Sequence, residues 1–254
     1  DLAALLVRRC SPSHRDRVVV FGGADAVLTT TFGRNESERE ATVEFLQRYF
    51  RVIYFEAKDA NSSKVRVKPA GLCESYFGAV TAEAAEHAIS AASISESAKP
   101  RRALVASGGH FVKSVYAGPT LASREGLRHW AASDAAAAAG VEARTINPAE
   151  WWRELASYRF FLSPMGRGIQ SSKTVEALLV LTVPIVQRGP YPAHDELKQL
   201  GFPLVVLDEW AEIGRERLDE WWALLSPRLE SFRRNCLTAE AWWRIFTRGD
   251  QRCE

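Results

Sequence analysis

The chain has no run of about eighteen apolar residues, so no segment within it reads as a membrane-spanning helix. It has little cysteine. Cys10, Cys73, Cys236 and Cys253 lack metal-finger spacing, and four in 254 residues do not make a disulfide scaffold, although one bridge remains open. It has no excess of one charge: the formal net charge is +2, and neither half is strongly basic. A nucleic-acid partner, which calls for a basic face, is therefore not expected. No Asp-x-Asp triplet occurs, so the usual acidic signature for a divalent ion at a diphosphate is missing and no metal ligand is assigned. The start, DLAALLVRRCSP, has no initiator Met, and a targeting or anchor segment can lie outside this sequence.

What is present is a core-forming composition. Hydrophobic residues make up 46% and aromatic residues 10%, enough for a folded chain. Short apolar runs alternate with helical patterns. RVVVF (Arg17 to Phe21), RVIYFEA and KVRVKPAG read as strands, and Ser37 to Phe50 and Thr81 to Ser93 as helices, with Ser37 the candidate cap of the first. The polar stretch Ser95 to Arg102 breaks both periods and reads as a linker. A second series opens at RALVASGGH. It continues through a helix from about Ser123 to Gly140, the strand EARTINP and the short helix PAEWWRELA. The strand YRFFLSP, the helix SKTVEALLVL and the strands VPIVQR and FPLVVLDEW follow, and two amphipathic helices close the chain.

Such alternation predicts βα units and parallel sheets. The expected fold is α/β, with two Rossmann-like domains facing across a cleft and a compact first domain; one continuous doubly wound sheet is the rival. The expected division is 1–97, 98–225 and a C-terminal helical part, 226–254. The paired tryptophans Trp151-Trp152, Trp221-Trp222 and Trp242-Trp243 read as core or seam anchors. Asn35-Glu-Ser and Asn61-Ser-Ser are N-glycosylation acceptors if the chain enters a secretory lumen.

The chemistry concentrates in SPMGRGIQSSKTVEALL. Gly166 and Gly168 follow a strand end, where parallel sheets bind ligands. The helix begins near Ser171 or Ser172, and its first amides are free to meet an anion. Arg167 and Lys173 add charge, and Ser171, Ser172 and Thr174 add hydroxyls. The turn suits a phosphate or diphosphate; the plainer alternative is a tight turn and a helix cap. It is not a nucleoside-triphosphate loop, because Arg167 and Ser172 stand where GxxxxGK[ST] needs glycines. GxGxxG fails because Ser171 holds the third glycine position. Glu176, three residues after Lys173, suits ribose hydroxyls, or else a salt bridge to Lys173 or the helix dipole.

LASYRFFLSPMGRGIQSSKTVEALLVLTVPIVQRGPY with GFPLVVLDEW, spanning Leu155 to Trp210, resembles the exostosin-like glycosyltransferases; KVRVKPAGL resembles them more weakly. The resemblance implies a metal-independent enzyme of the two-domain GT-B type in the Golgi lumen, with its anchor outside this sequence. It implies transfer from a nucleotide sugar to a hydroxyl of a glycan or glycoprotein, commonly with inversion. No further cofactor is required, and a UDP-sugar is expected ahead of a GDP-sugar. Glu176 aligns with the ribose-binding acid, and Arg167, Ser171, Ser172 and Lys173 with diphosphate contacts. The last helix is expected to cross back to the first domain.

Sugar transfer needs cations at the leaving diphosphate and a base at the acceptor hydroxyl. Arg124, with Lys113 behind it, is a candidate to reach the phosphate, or a surface cation. His110 is a candidate ligand-facing imidazole or a structural one. Asp25 and Glu74, at strand ends of the first half, are candidate bases or turn residues. Asp208 and Glu209 either approach the donor sugar or cap the next segment. Two alternatives stand beside the transferase: a catalytically silent nucleotide-sugar-binding or partner subunit, and another class of nucleotide-sugar enzyme. Oligomerisation is left open.

Overall fold

The computed structural model describes residues 9, 11, 16–23, 26–72, 82–107, 111 and 117–248. Within them the chain is α/β with two separate parallel sheets, which removes the single continuous sheet. The first sheet runs β1 (Val18–Phe21), β2 (Val52–Phe55), β3 (Val65–Val67), in that spatial order. The second holds β4 (Arg101–Ala106), β5 (Val141–Arg144), β6 (Tyr158–Ser163), β7 (Val183–Gln187) and β8 (Val205–Leu207), in the order β5-β4-β6-β7-β8. The central strands are apolar nearly throughout, as strands covered on both faces must be: β2 is buried at every position and β6 at all but Arg159.

Helix α1 (Leu28–Phe32) precedes α2 (Glu36–Gln47). The cap of α2 is Asn35, not Ser37: its side chain accepts from the Glu38 amide at 2.9 Å, while Glu38 accepts from the Arg34 amide at 2.8 Å. Asparagine caps as well as serine, and this reciprocal pair fixes the start two residues early. After α3 (Ala82–Ala91), the helix expected from Ser123 is two helices. α4 (Gly118–Ala131) begins earlier, at a Gly-Pro start, and α5 (Asp134–Ala138) restarts where Ser133 accepts from the Ala136 amide. Gly140, at φ 79°, ends the pair in the left-handed conformation expected of a terminating glycine. α6 (Trp151–Ala156), α7 (Ser172–Leu179) and α8 (Ala193–Gln199) follow, the last unexpected from the pattern. α9 (Arg215–Cys236) and α10 (Ala239–Arg248) close the described chain.

The polar stretch read as a linker is held to the second sheet's side by one buried residue. The Lys99 ammonium is fully buried and donates to Val180 O and Thr182 Oγ1, both at 2.7 Å. α1 and α2 cover one face of the first sheet through Leu28, Phe32, Val43 and Leu46 against Ile53 and Phe55. On the other face, Val52, Tyr54 and Val67 join the core of the second sheet. α10 packs there too: Tyr54 donates to Ile245 O at 2.8 Å, and its ring lies 5.1 Å from that of Phe246. Trp151 and Trp152 are buried, whereas Trp243 is 68% exposed. Among the described residues no helix is long and apolar enough to cross a membrane.

Candidate functional site

In the second sheet the chain runs from β4 outward to β5, then returns to β6 on the other side of β4. The direction of winding therefore reverses between β4 and β6. In open parallel sheets the crevice outside the carboxyl ends at such a reversal is the usual ligand seat. The glycine turn leaves β6 at this point.

The turn is built tightly. Gly166 and Ile169 exchange backbone hydrogen bonds at 3.0 and 3.3 Å. A Cβ on Gly166 would stand 2.3 Å from Gln170 O, so only glycine fits. Ile169 is buried at φ 78°, a left-handed conformation that a β-branched residue adopts only under strain of about 1–3 kcal/mol. Such outliers concentrate at functional sites. Arg124 braces the segment from α4: Nε donates to Met165 O at 2.8 Å and a terminal nitrogen to Phe111 O at 2.7 Å. It spans the two loops of the reversal and is committed to carbonyls in doing so.

At the head of α7 Ser171 is the cap, its hydroxyl accepting from the Lys173 amide at 3.3 Å. The amides of Ser171 and Ser172 take no partner among the described residues. Arg167 and the half-buried Gly168 lie at the rim, Arg167 exposed. Thr174 turns inward, its hydroxyl 3.1 Å from that of Ser163, and is not on the anion face. Glu176 also turns inward, with 3% of its side chain exposed. Its Oε2 accepts from Trp151 Nε1 at 2.6 Å and from Lys173 Nζ at 2.7 Å. The Lys173 ammonium sits 4.7 Å from the centre of the Trp151 ring. Of the two readings of Glu176, the salt bridge to Lys173 is the one seen in this structure. The arrangement is physically coherent. A cation in the first turn of a helix opposes the macrodipole, and the carboxylate below it offsets that cost. A buried carboxylate in turn needs such donors.

Gln170, which sequence reasoning passed over, ties this turn to the first sheet. Its Nε2 donates to Glu56 O at 2.6 Å and Lys68 O at 2.8 Å, and its Oε1 accepts from the Ala70 amide at 2.8 Å. Glu56 and Lys68 directly follow β2 and β3, so the carboxyl ends of both sheets converge on one side chain. Nearby, the buried Lys58 pairs with Glu196 of α8 at 2.5 Å, and Glu196 also accepts from the Val67 amide at 3.2 Å. No short-range pattern could flag these residues, whose partners lie about a hundred positions away.

Further along the second sheet, Arg188 donates to Asp195 Oδ2 at 2.8 Å and also pairs with Asp208. Glu209 forms a reciprocal cap with Glu212 at the 3₁₀ turn Trp210–Glu212, so both late acids are occupied structurally. Asp25, Glu74, His110 and Lys113 lie outside the described residues. Among the described residues no cluster of three or more His, Cys, Asp and Glu is placed to hold a metal ion. No family model and no curated protein matches the chain.

Proposed function

We propose that the chain is a glycosyltransferase of the two-domain GT-B type. It moves a sugar from a nucleotide sugar, a UDP-sugar before a GDP-sugar, to a hydroxyl of a glycan or glycoprotein, with inversion and no obligatory metal. The observation that carries this reading is the Gln170 seam. It turns the carboxyl edges of two parallel sheets toward one another, and those edges are where such sheets take ligands. The resemblance over Leu155 to Trp210 supplies the donor class, and the same reading implies the Golgi lumen.

In this proposal the diphosphate lies on the Ser171 and Ser172 amides at the head of α7, with Arg167 at the rim and Lys173 behind. Charge that builds on the leaving diphosphate meets preorganised donors, the largest single catalytic contribution in most such sites. Glu176 fixes Lys173 from below. Asp25, Glu74 and His110 stay candidates for the base from sequence.

The test is a donor-release screen on the purified protein with UDP- and GDP-sugars, with and without EDTA. The expected result is selective cleavage that survives EDTA, with Arg167→Ala weakening UDP binding by about tenfold. Absence of UDP and GDP binding overturns the proposal. Binding of a nucleotide sugar that is never cleaved favours a silent binding subunit.

A further inference from the structure

The first sheet carries a second charged feature that the sequence reading left unassigned. β1, β2 and β3 end in register at Phe21, Phe55 and Val67. The next residues are therefore neighbours: Gly22, Glu56 and Lys68. The Lys68 ammonium meets Glu56 Oε2 at 2.5 Å and Pro69 O at 3.0 Å. Gly22 lets it pass, since a Cβ there would stand 2.7 Å from Lys68 Cε. The Gly23 amide donates to the same Oε2 at 3.2 Å. Gly23 itself is at φ 74°, and a Cβ built on it would meet nothing within 4 Å.

We propose that Glu56 is the catalytic base for the acceptor hydroxyl, held in place by Lys68; this rests on the transferase reading above. Three observations point the same way. The pair lies largely withdrawn from solvent, 14% exposed at Lys68 and 20% at Glu56, which is costly for a pair serving stability alone. Oε2 takes two donors while Oε1 takes no hydrogen bond among the described residues, so the carboxylate is oriented with one oxygen available. The main chain of both residues is bonded to Gln170, next to the Ser171 cap, which brings the pair to the edge of the proposed diphosphate seat.

In the transfer step the acceptor O–H proton passes to Glu56 Oε1. The acceptor oxygen forms its bond to the anomeric carbon as the bond from that carbon to the diphosphate oxygen breaks. The electron pair of that bond leaves on the diphosphate, facing the Ser171 and Ser172 amides. Glu56 then returns the proton to water. With water as acceptor, the same step hydrolyses the donor.

The experiment compares wild type, Glu56→Gln and the double variant Glu56→Gln/Lys68→Met, which removes both charges together and covers the case of a single variant that fails to fold. UDP binding is measured by calorimetry. Hydrolysis of a panel of UDP-sugars is measured at neutral pH. The expected result is UDP affinity within about twofold of wild type, with turnover lowered by about 100-fold or more, in both variants. Turnover within about threefold of wild type overturns the assignment of Glu56 and leaves the transferase reading standing. Loss of UDP affinity in folded variants makes Glu56 a structural residue and overturns it as well. Wild type that binds UDP but cleaves no UDP-sugar also removes the base. Wild type that binds no UDP removes the site reading and the base together.

Discussion

Gly166 has no room for a side chain, because a Cβ would press on Gln170 O at 2.3 Å. Gly166→Ala is expected to lower stability by about 1–3 kcal/mol, as other overpacking substitutions do, and urea unfolding checks it. Trp151 gives Glu176 one of its two hydrogen bonds, at 2.6 Å. Trp151→Phe keeps most of the ring and removes the donor. The expected cost is about 1–3 kcal/mol, the penalty for stripping a partner from a buried acceptor; a cost near zero would show that Glu176 is adequately held by Lys173 alone. His194 sets a pH dependence. It is buried on α8 and donates from Nδ1 to Gln187 O at 3.0 Å, and burial pushes its pKa from 6.5 down to about 4. The unfolded chain therefore binds the proton first on acidification. Stability from this group is full above about pH 6.5 and is lost progressively as pH falls toward about 4, by on the order of 3 kcal/mol. His194→Gln should flatten that slope in urea titrations across this range; an unaltered slope would reject the account. Lys99 acts in the same direction at higher pH, since burial and then Arg233 hold its pKa well below the ordinary value.

At the scale of elements, the glycine turn and α7 are positioned by β6 on one side and by the first sheet on the other. Gln170→Leu would strip partners from Glu56 O, Lys68 O and the Ala70 amide in one change. A loss of at least about 2 kcal/mol is expected. Hydrogen exchange should show β2 and β3 losing protection before β6 and β7, because the seam and not the second core is broken. Exchange that rises equally in both sheets would mean that they unfold as one unit whatever Gln170 does. α10 matters similarly, since it covers the Tyr54 face of β2. The elements themselves were readable in the sequence wherever periodicity was long, as in β6, α7 and α9. α8 was missed because seven residues carry two turns at most, and the break between α4 and α5 was missed because five alanines hide a serine cap.

For the whole molecule, the two sheets form a bolted body at Gln170 and at Lys58–Glu196. A diphosphate bound at the head of α7 would stabilise that body by mass action, about 2.7 kcal/mol at a hundredfold excess over Kd. A rise in melting temperature with UDP, absent with uridine, is the expected outcome; equal shifts with both would place the contact on the base and not on the diphosphate turn. The alternation of apolar runs and helices is by itself enough to call for parallel sheets. The three-stranded and the five-stranded sheet lie on either side of the polar stretch near Ser95, in which Lys99 is buried.

The amino-acid order alone determined the β6–turn–α7 segment, its glycines, a serine cap at 171 or 172 and the Lys173–Glu176 spacing, because each depends on neighbours within a few residues. Only the tertiary structure decided that Glu176 faces Trp151, that Thr174 faces Ser163, and that Gln170 and Glu56 meet at the junction of two sheet edges. Those outcomes depend on which surfaces are buried together, and burial is set by the packing of elements far apart in the chain.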